Sequence, residues 1–261
     1  MSAVAVRTIT SIRKEPMNQS ASAELAKCPT RCSTCGLREV CLPCGLTGTE
    51  LDRLDQLIYT RKRVKRGETL YQSGDTFKSL YAIRSGFFKS CVLLEDGRDQ
   101  VTAFHMPGEL MGMDGIGNDR HNVNAVALED SEVCIIVFSS LEQAASEVRG
   151  LQRQFHKVMS RELVRDQGVM MLLGTMRAEE RLATFLLNLS QRFLARGYSQ
   201  TEFNLRMTRE EIGSFIGLKL ETVSRIFSRF DDEGLISVQQ KKVRILDVIG
   251  LKRLLGQHLG A

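Results

Sequence analysis

Arg66-Gly-Glu-Thr-Leu-Tyr-Gln-Ser-Gly-Asp75, followed after four residues by Leu80-Tyr-Ala-Ile-Arg-Ser-Gly86, is the stretch from which the fold of this chain is read. Short runs of Leu, Tyr and Ile alternate with glycines placed where a chain must reverse. The alternation continues from Val64 to about Phe138, through Glu95-Asp-Gly97 and Pro107-Gly-Glu109. Turn signals at roughly eight-to-twelve-residue spacing, between runs rich in Val, Ile, Phe and Tyr, predict an all-β barrel or roll. Glu95-Asp-Gly-Arg98 predicts a hairpin tip.

Downstream the period changes. Residues 139–174 lack proline and read as one long helix, with Leu151, Phe155, Met159, Leu163, Met170 and Leu173 at three- and four-residue steps and Asp166 on the same stripe. A second helix from Ala178 to Ala195 stops at Gly197. Thr208 followed by Glu211 is a capping box. The helix it opens breaks at Gly217 and restarts around Lys219 to Phe230. Leu235-Ile-Ser-Val238, a polar turn and Val243-Arg-Ile-Leu246 then predict a β-hairpin, completing a winged helix-turn-helix.

Upstream, residues 1–27 show no apolar period and read as a flexible arm. Thr47 or Thr49 would cap a helix carrying Leu51, Leu54, Leu57 and Ile58. The longest apolar runs are far too short to span a bilayer, and Met1-Ser-Ala-Val-Ala-Val-Arg7 lacks a secretory signal's apolar stretch. A cytoplasmic protein is expected. The formal net charge of +5 suits a nucleic-acid partner without demanding one.

Five of the seven cysteines lie in Cys28-Pro-Thr-Arg-Cys32-Ser-Thr-Cys35-Gly-Leu-Arg-Glu-Val-Cys41-Leu-Pro-Cys44. In a reducing compartment such a set reads as metal ligands or redox groups rather than a disulfide framework. Spacing alone leaves the metal open. Cys32-x2-Cys35 with Cys41-x2-Cys44 suits tetrahedral zinc. The C-x2-C-x5-C run suits three corners of an iron–sulfur cube, with a fourth thiolate from elsewhere. Cys28-x3-Cys32-x2-Cys35 also has the spacing of radical S-adenosylmethionine enzymes, but their repeated βα units are not the pattern downstream. Cys91 reads as a buried strand residue. His105, His121, His156 and His258 have no metal-ligand spacing.

The 66–86 stretch resembles the cyclic-nucleotide-binding roll of the cyclic AMP receptor protein superfamily. Ile212-Gly-Ser-Phe-Ile-Gly-Leu218 and Glu221-Thr-Val-Ser-Arg225 resemble its helix-turn-helix. The cysteine block is similar to that of the fumarate and nitrate reduction regulator (FNR) branch. The resemblance implies an α+β protein: cysteine-rich loop over 28–45, sensory β-roll over 46–138, dimerisation helix over 139–176, winged helix-turn-helix over 177–261. It implies an oxygen-responsive transcription regulator whose 4Fe–4S cluster is held by Cys32, Cys35, Cys41 and Cys134. Cys28 matches a cysteine that does not ligate, and Cys44 has no counterpart among the ligands. Where cyclic-AMP binders carry Gly-Glu-Leu-Gly this chain has Gly112-Met-Asp-Gly115, and near His121-Asn122 the phosphate-binding arginine is missing, so no cyclic AMP is expected.

Glu221, Ser224 and Arg225, at i, i+3 and i+4, share a helix face and match the family's base-reading residues, implying TTGAT-like inverted repeats in double-stranded DNA. Arg206, Arg209, Lys219 and Lys241 are candidate phosphate contacts. Phe155, Met159, Leu163, Asp166 and Met170 would form a homodimer seam in which the paired Asp166 carboxylates repel. The resemblance also implies contact with RNA polymerase, for which Glu95-Asp-Gly-Arg-Asp99 is a candidate loop. The open alternative is a zinc-stabilised regulator answering another signal.

Overall fold

The computed structural model describes residues 31–57, 60–94 and 97–256. The arm, Cys28, Ile58, His258 and the Glu95-Asp96 part of the expected hairpin tip lie outside them.

After helix α1 (Gly48–Asp55) come the strands β1 (Thr60–Val64), β2 (Thr69–Tyr71), β3 (Ser79–Ser85), β4 (Phe88–Leu93), β5 (Asp99–His105), β6 (Leu110–Met111), β7 (Asn124–Ala127) and β8 (Ser131–Val137). They form two antiparallel four-stranded sheets, ordered β1-β8-β3-β6 and β2-β7-β4-β5. This is the expected roll. Gly86 shows why its turns need glycine: φ is +85°, and a Cβ there would overlap Ser131. Ile83, Phe88, Met111 and Val133 pack between the sheets.

The expected single helix over 139–174 is two helices, α2 (Phe138–Glu147) and α3 (Arg149–Thr175). Val148 between them is extended, at φ −118° and ψ 96°. The cause is tertiary. At Gly150 the chain passes against α1 so closely that a Cβ would overlap the Glu50 carboxylate. Gly150 is only a weak local sign of this contact, since an isolated glycine does not by itself end a helix.

Helix α4 (Ala178–Leu194), β9 (Glu202–Asn204), α5 (Arg209–Ile216), α6 (Leu220–Asp232), β10 (Ile236–Gln239), β11 (Lys242–Ile245) and α7 (Val248–Gly256) complete the chain. As expected, Thr208 Oγ1 accepts from the Glu211 N–H at 3.1 Å, and Gly217 ends α5 in the left-handed region. The wing hairpin gains β9 as a third strand, in the order β10-β11-β9.

Several polar contacts fasten this unit to the roll. Ser214 of α5 accepts the Val101 N–H through its hydroxyl at 2.8 Å and donates to the Asp99 carbonyl at 3.0 Å. Beside it Lys89 pairs with Glu211 at 3.0 Å. Elsewhere Glu109 is ringed by Arg192 and Arg196 of the α4 end at 2.7 and 2.6 Å, and by Arg165 of α3 at 3.3 Å. Burial alone would raise the Glu109 carboxyl; the three guanidinium groups instead hold it at about 2.

Candidate functional site

Two single 3-10 turns, Cys32–Thr34 and Arg38–Val40, fold the cysteine loop over the roll. Val40 packs on Gly108, where φ is +88° and a Cβ would collide with the Val40 side chain. Asp55 at the end of α1 anchors the start of the loop, accepting the Cys32 N–H and, at 2.7 Å, the Ser33 hydroxyl.

Cys32, Cys35 and Cys41 from this loop line one cleft with Cys134 of β8, whose floor is Ala82, Ile83 and Arg84. Cys134 reaches it because it stands opposite Ala82 and Arg61 in the sheet register. Cys44 does not line the cleft. Cys91 is a buried strand residue of β4. The cysteines of the described residues are free thiols.

Burial, then the neighbouring Cys41, Asp55, Cys134 and Cys35, push the Cys32 thiol well up. Burial pushes Cys41 to about 12, although the Leu42 N–H acts the other way. Cys134 is also raised by burial, against the opposing charges of Arg61 and Arg84. Crowded thiols of this kind ionise readily only when a metal-bearing group takes up their charge. Among the described residues, no three His, Cys, Asp or Glu side chains form a group that could hold a metal ion. The four thiols nevertheless line one cleft, and Cys41, Cys134 and Cys35 lie close enough to Cys32 to act on its thiol. Thiolates are the donor type of iron–sulfur groups as well as of zinc.

The second site is α6. Glu221, Ser224 and Arg225 are exposed along one face, and Lys219, the N-cap, is exposed beside them. Val223, Ile226, Phe227 and Phe230 bury the opposite face. Lys241 is exposed at the wing tip. The Arg209 guanidinium stacks over Phe227 at 3.1 Å, and burial lowers its pKa to about 10. Arg206 pairs with Glu129 of the roll at 3.3 Å.

Comparison with known proteins agrees with this layout. Residues 61–147 match the cyclic nucleotide-binding domain and residues 180–254 the Crp-like helix-turn-helix domain. The chain is 50% identical to the transcriptional regulatory protein btr of Bordetella pertussis, over 87% of this chain and 94% of that one. It is 43% identical to the fumarate and nitrate reduction regulatory protein of Escherichia coli K12, over 88% of this chain and 92% of that one. The chain belongs to the FNR branch of the Crp superfamily. Like these relatives, this FNR-type protein is a transcription regulator and not an enzyme. The FixK2 structure from Bradyrhizobium japonicum shares its fold, with a TM-score of 0.70 at 32% identity over 75% of this chain and 96% of that one.

In the FNR-type regulator the stripe on α3 divides in two. Leu151 is buried and Phe155 half-buried, ringed against Phe138 in the core beneath the cysteine loop. Met159 is half-buried; further on, Leu163 and Met170 are 63% and 64% exposed, with Asp166 exposed between them. Val164 and Met171, absent from the sequence reading, are equally bare and widen the stripe.

A cavity of about 560 Å³ lies between the roll and α3. Its lining includes Met113, Asp114, Glu162 and Asp166 and no lysine or arginine. His105 in its wall donates or accepts only at Nε2, with Ser90 at 2.8 Å, and burial lowers its pKa to about 3. Among the described residues no helix is long and apolar enough to cross a membrane.

Proposed function

We propose that the chain is an oxygen-responsive, cytoplasmic transcription activator that holds a 4Fe–4S cluster on Cys32, Cys35, Cys41 and Cys134. The observation that carries this reading is the shared cleft of those four thiols, from which Cys44 is absent. A zinc knuckle would pair Cys41 with Cys44 about one ion, and Cys44 is not among the residues that line the cleft. That lining favours the cluster over the zinc-stabilised alternative.

When bound, the cluster supplies iron that reacts with oxygen. The chain's own residues do the rest. The four thiolates tie the loop to β8, and Arg61 and Arg84 offset the added negative charge at Cys134. Asp55 and Val40 hold the loop against α1 and the 107–109 turn. The bare stripe from Leu163 to Leu173 then pairs with that of a second chain. Asp166 opposes its mate and keeps the cluster-free protein monomeric.

A dimer presents two copies of α6 to successive major grooves, about 34 Å apart, whereas a monomer engages one half-site. Glu221, Ser224 and Arg225 read a TTGAT-like inverted repeat; Lys219 and Lys241 contact phosphate, and Arg209 supports α6 from behind. RNA polymerase contacts the segment 95–99. Cyclic AMP is not the signal: its phosphate would face carboxylates and no cation in the α3 cavity.

Anaerobic purification with iron, sulfide and zinc analysis and a visible spectrum, repeated after admitting air, tests this. Four irons and four sulfides per chain, to within about one, with absorbance that bleaches in air, are expected. One zinc and a colourless protein would overturn it.

A further inference from the structure

Helix α1 touches both the cysteine loop and the start of the dimerisation helix. At its C-terminal end the Asp55 carboxylate accepts the N–H groups of Cys32 and Ser33 and the Ser33 hydroxyl. A carboxylate is disfavoured at a helix C-terminus, so these loop donors are what hold it there.

At the other end Glu50 closes the α1 cap, accepting from the Thr47 N–H and hydroxyl at 2.8 and 2.9 Å. The same carboxylate meets the Gly150 N–H at the beginning of α3, an end that favours negative charge. Both contacts lower its pKa, the Thr47 N–H most. Between the two ends Arg53 pairs with Glu147, the last residue of α2, at 2.6 Å. Helix α1 thus holds the chain on both sides of the Val148 break. Its buried face, Leu51 and Leu54, shares one core with Leu141 and Leu151.

We propose that α1 is the strut through which the cluster governs α3, with Asp55 as the positioning residue at the loop end. The proposal rests on the cluster reading above. With Cys32 ligated, Asp55 and α1 are held, and Glu50 and Arg53 fix the direction in which α3 leaves the break. When the loop is released, the loop-side anchor is lost and the seam residues of α3 lose their alignment. Coupling then runs through a packed element whose two ends sit on the two sites.

The test uses the full chain, cluster-loaded without oxygen and again after cluster loss, with dimer dissociation read by sedimentation. In the wild type, cluster loss weakens association by roughly tenfold or more. Glu50→Gln with Arg53→Gln touches no cysteine. It is expected to keep wild-type iron, sulfide and absorbance while that change shrinks to about threefold or less. Arg53→Gln alone, which removes an exposed ion pair and a bond to Gln56, gives a partial reduction and serves if Glu50→Gln disturbs the cap. Asp55→Asn loses the coupling, read only in protein that iron and sulfide analysis shows to be cluster-loaded, and Asp55→Glu restores it. Undiminished coupling in iron-loaded variants overturns the strut alone. Association that ignores iron in the wild type overturns the cluster reading and the strut together.

Discussion

Glu109→Gln removes one charge and almost no volume from the junction of roll, α3 and α4. The carboxylate is 9% exposed, and Arg196, its shortest partner, 5%. Two routes give the cost. The carboxyl sits at about 2 instead of its ordinary 4.5. At about 1.4 kcal/mol per pH unit that gap is worth about 3 kcal/mol of folding stability. Removing one partner of a buried ion pair costs about 3–5 kcal/mol, because the remaining charges stay buried. Urea unfolding of cluster-free protein in air reads this directly, without the metal. The variant should lose about 3 kcal/mol at pH 7, by a lower midpoint at unchanged slope. A depressed carboxyl stabilises above its unfolded-state pKa and stops doing so as pH falls through its folded one. The gap between wild type and variant should therefore be constant from pH 7 to about 4.5 and close toward pH 2. A loss under about 1 kcal/mol, or a gap unchanged in acid, would refute the claim that these arginines work through Glu109.

Cys134→Ser should abolish anaerobic iron binding whereas Cys44→Ser keeps it, by iron and sulfide analysis; the opposite order would return zinc-knuckle pairing to favour. Arg225→Ala should cut discrimination between operator and scrambled DNA by about tenfold or more, with iron content unchanged, in a binding titration at fixed salt. Asp166→Ala should raise the dimer fraction of cluster-free protein, because a carboxylate leaves an otherwise apolar stripe; a strictly monomeric variant in sedimentation would remove Asp166 from the switch.

The roll and the winged helix-turn-helix were legible because their punctuation is local. A glycine such as Gly86 must sit where φ is positive, and the Thr208–Glu211 box marks its own helix start. The α2–α3 break was not legible. Its cause, Glu50 against Gly150, joins residues far apart in sequence, and an isolated glycine does not by itself end a helix. The Arg209 contact with Phe227 was not legible either, because it joins α5 to α6 across the helix-turn-helix. Spacing gathered Cys32, Cys35 and Cys41, but only the resemblance pointed to Cys134, which the β8–β3 register carries to the same cleft. The Glu109 cluster escaped the reading because Arg165 and Arg192 come from separate helices.

Ser214 on the roll edge, Glu109 among its arginines and Arg206 on Glu129 fasten the DNA-binding unit to the roll, which restrains α6 from swivelling on its own chain. A reader without a swivel turns errors of spacing into strain. One base pair added between two half-sites moves the second by about 3.4 Å along the duplex and turns it by about 35°. A loosely tethered helix would follow that displacement. In a dimer built from this chain, the duplex would have to bend or twist to meet it, or leave the second site unread.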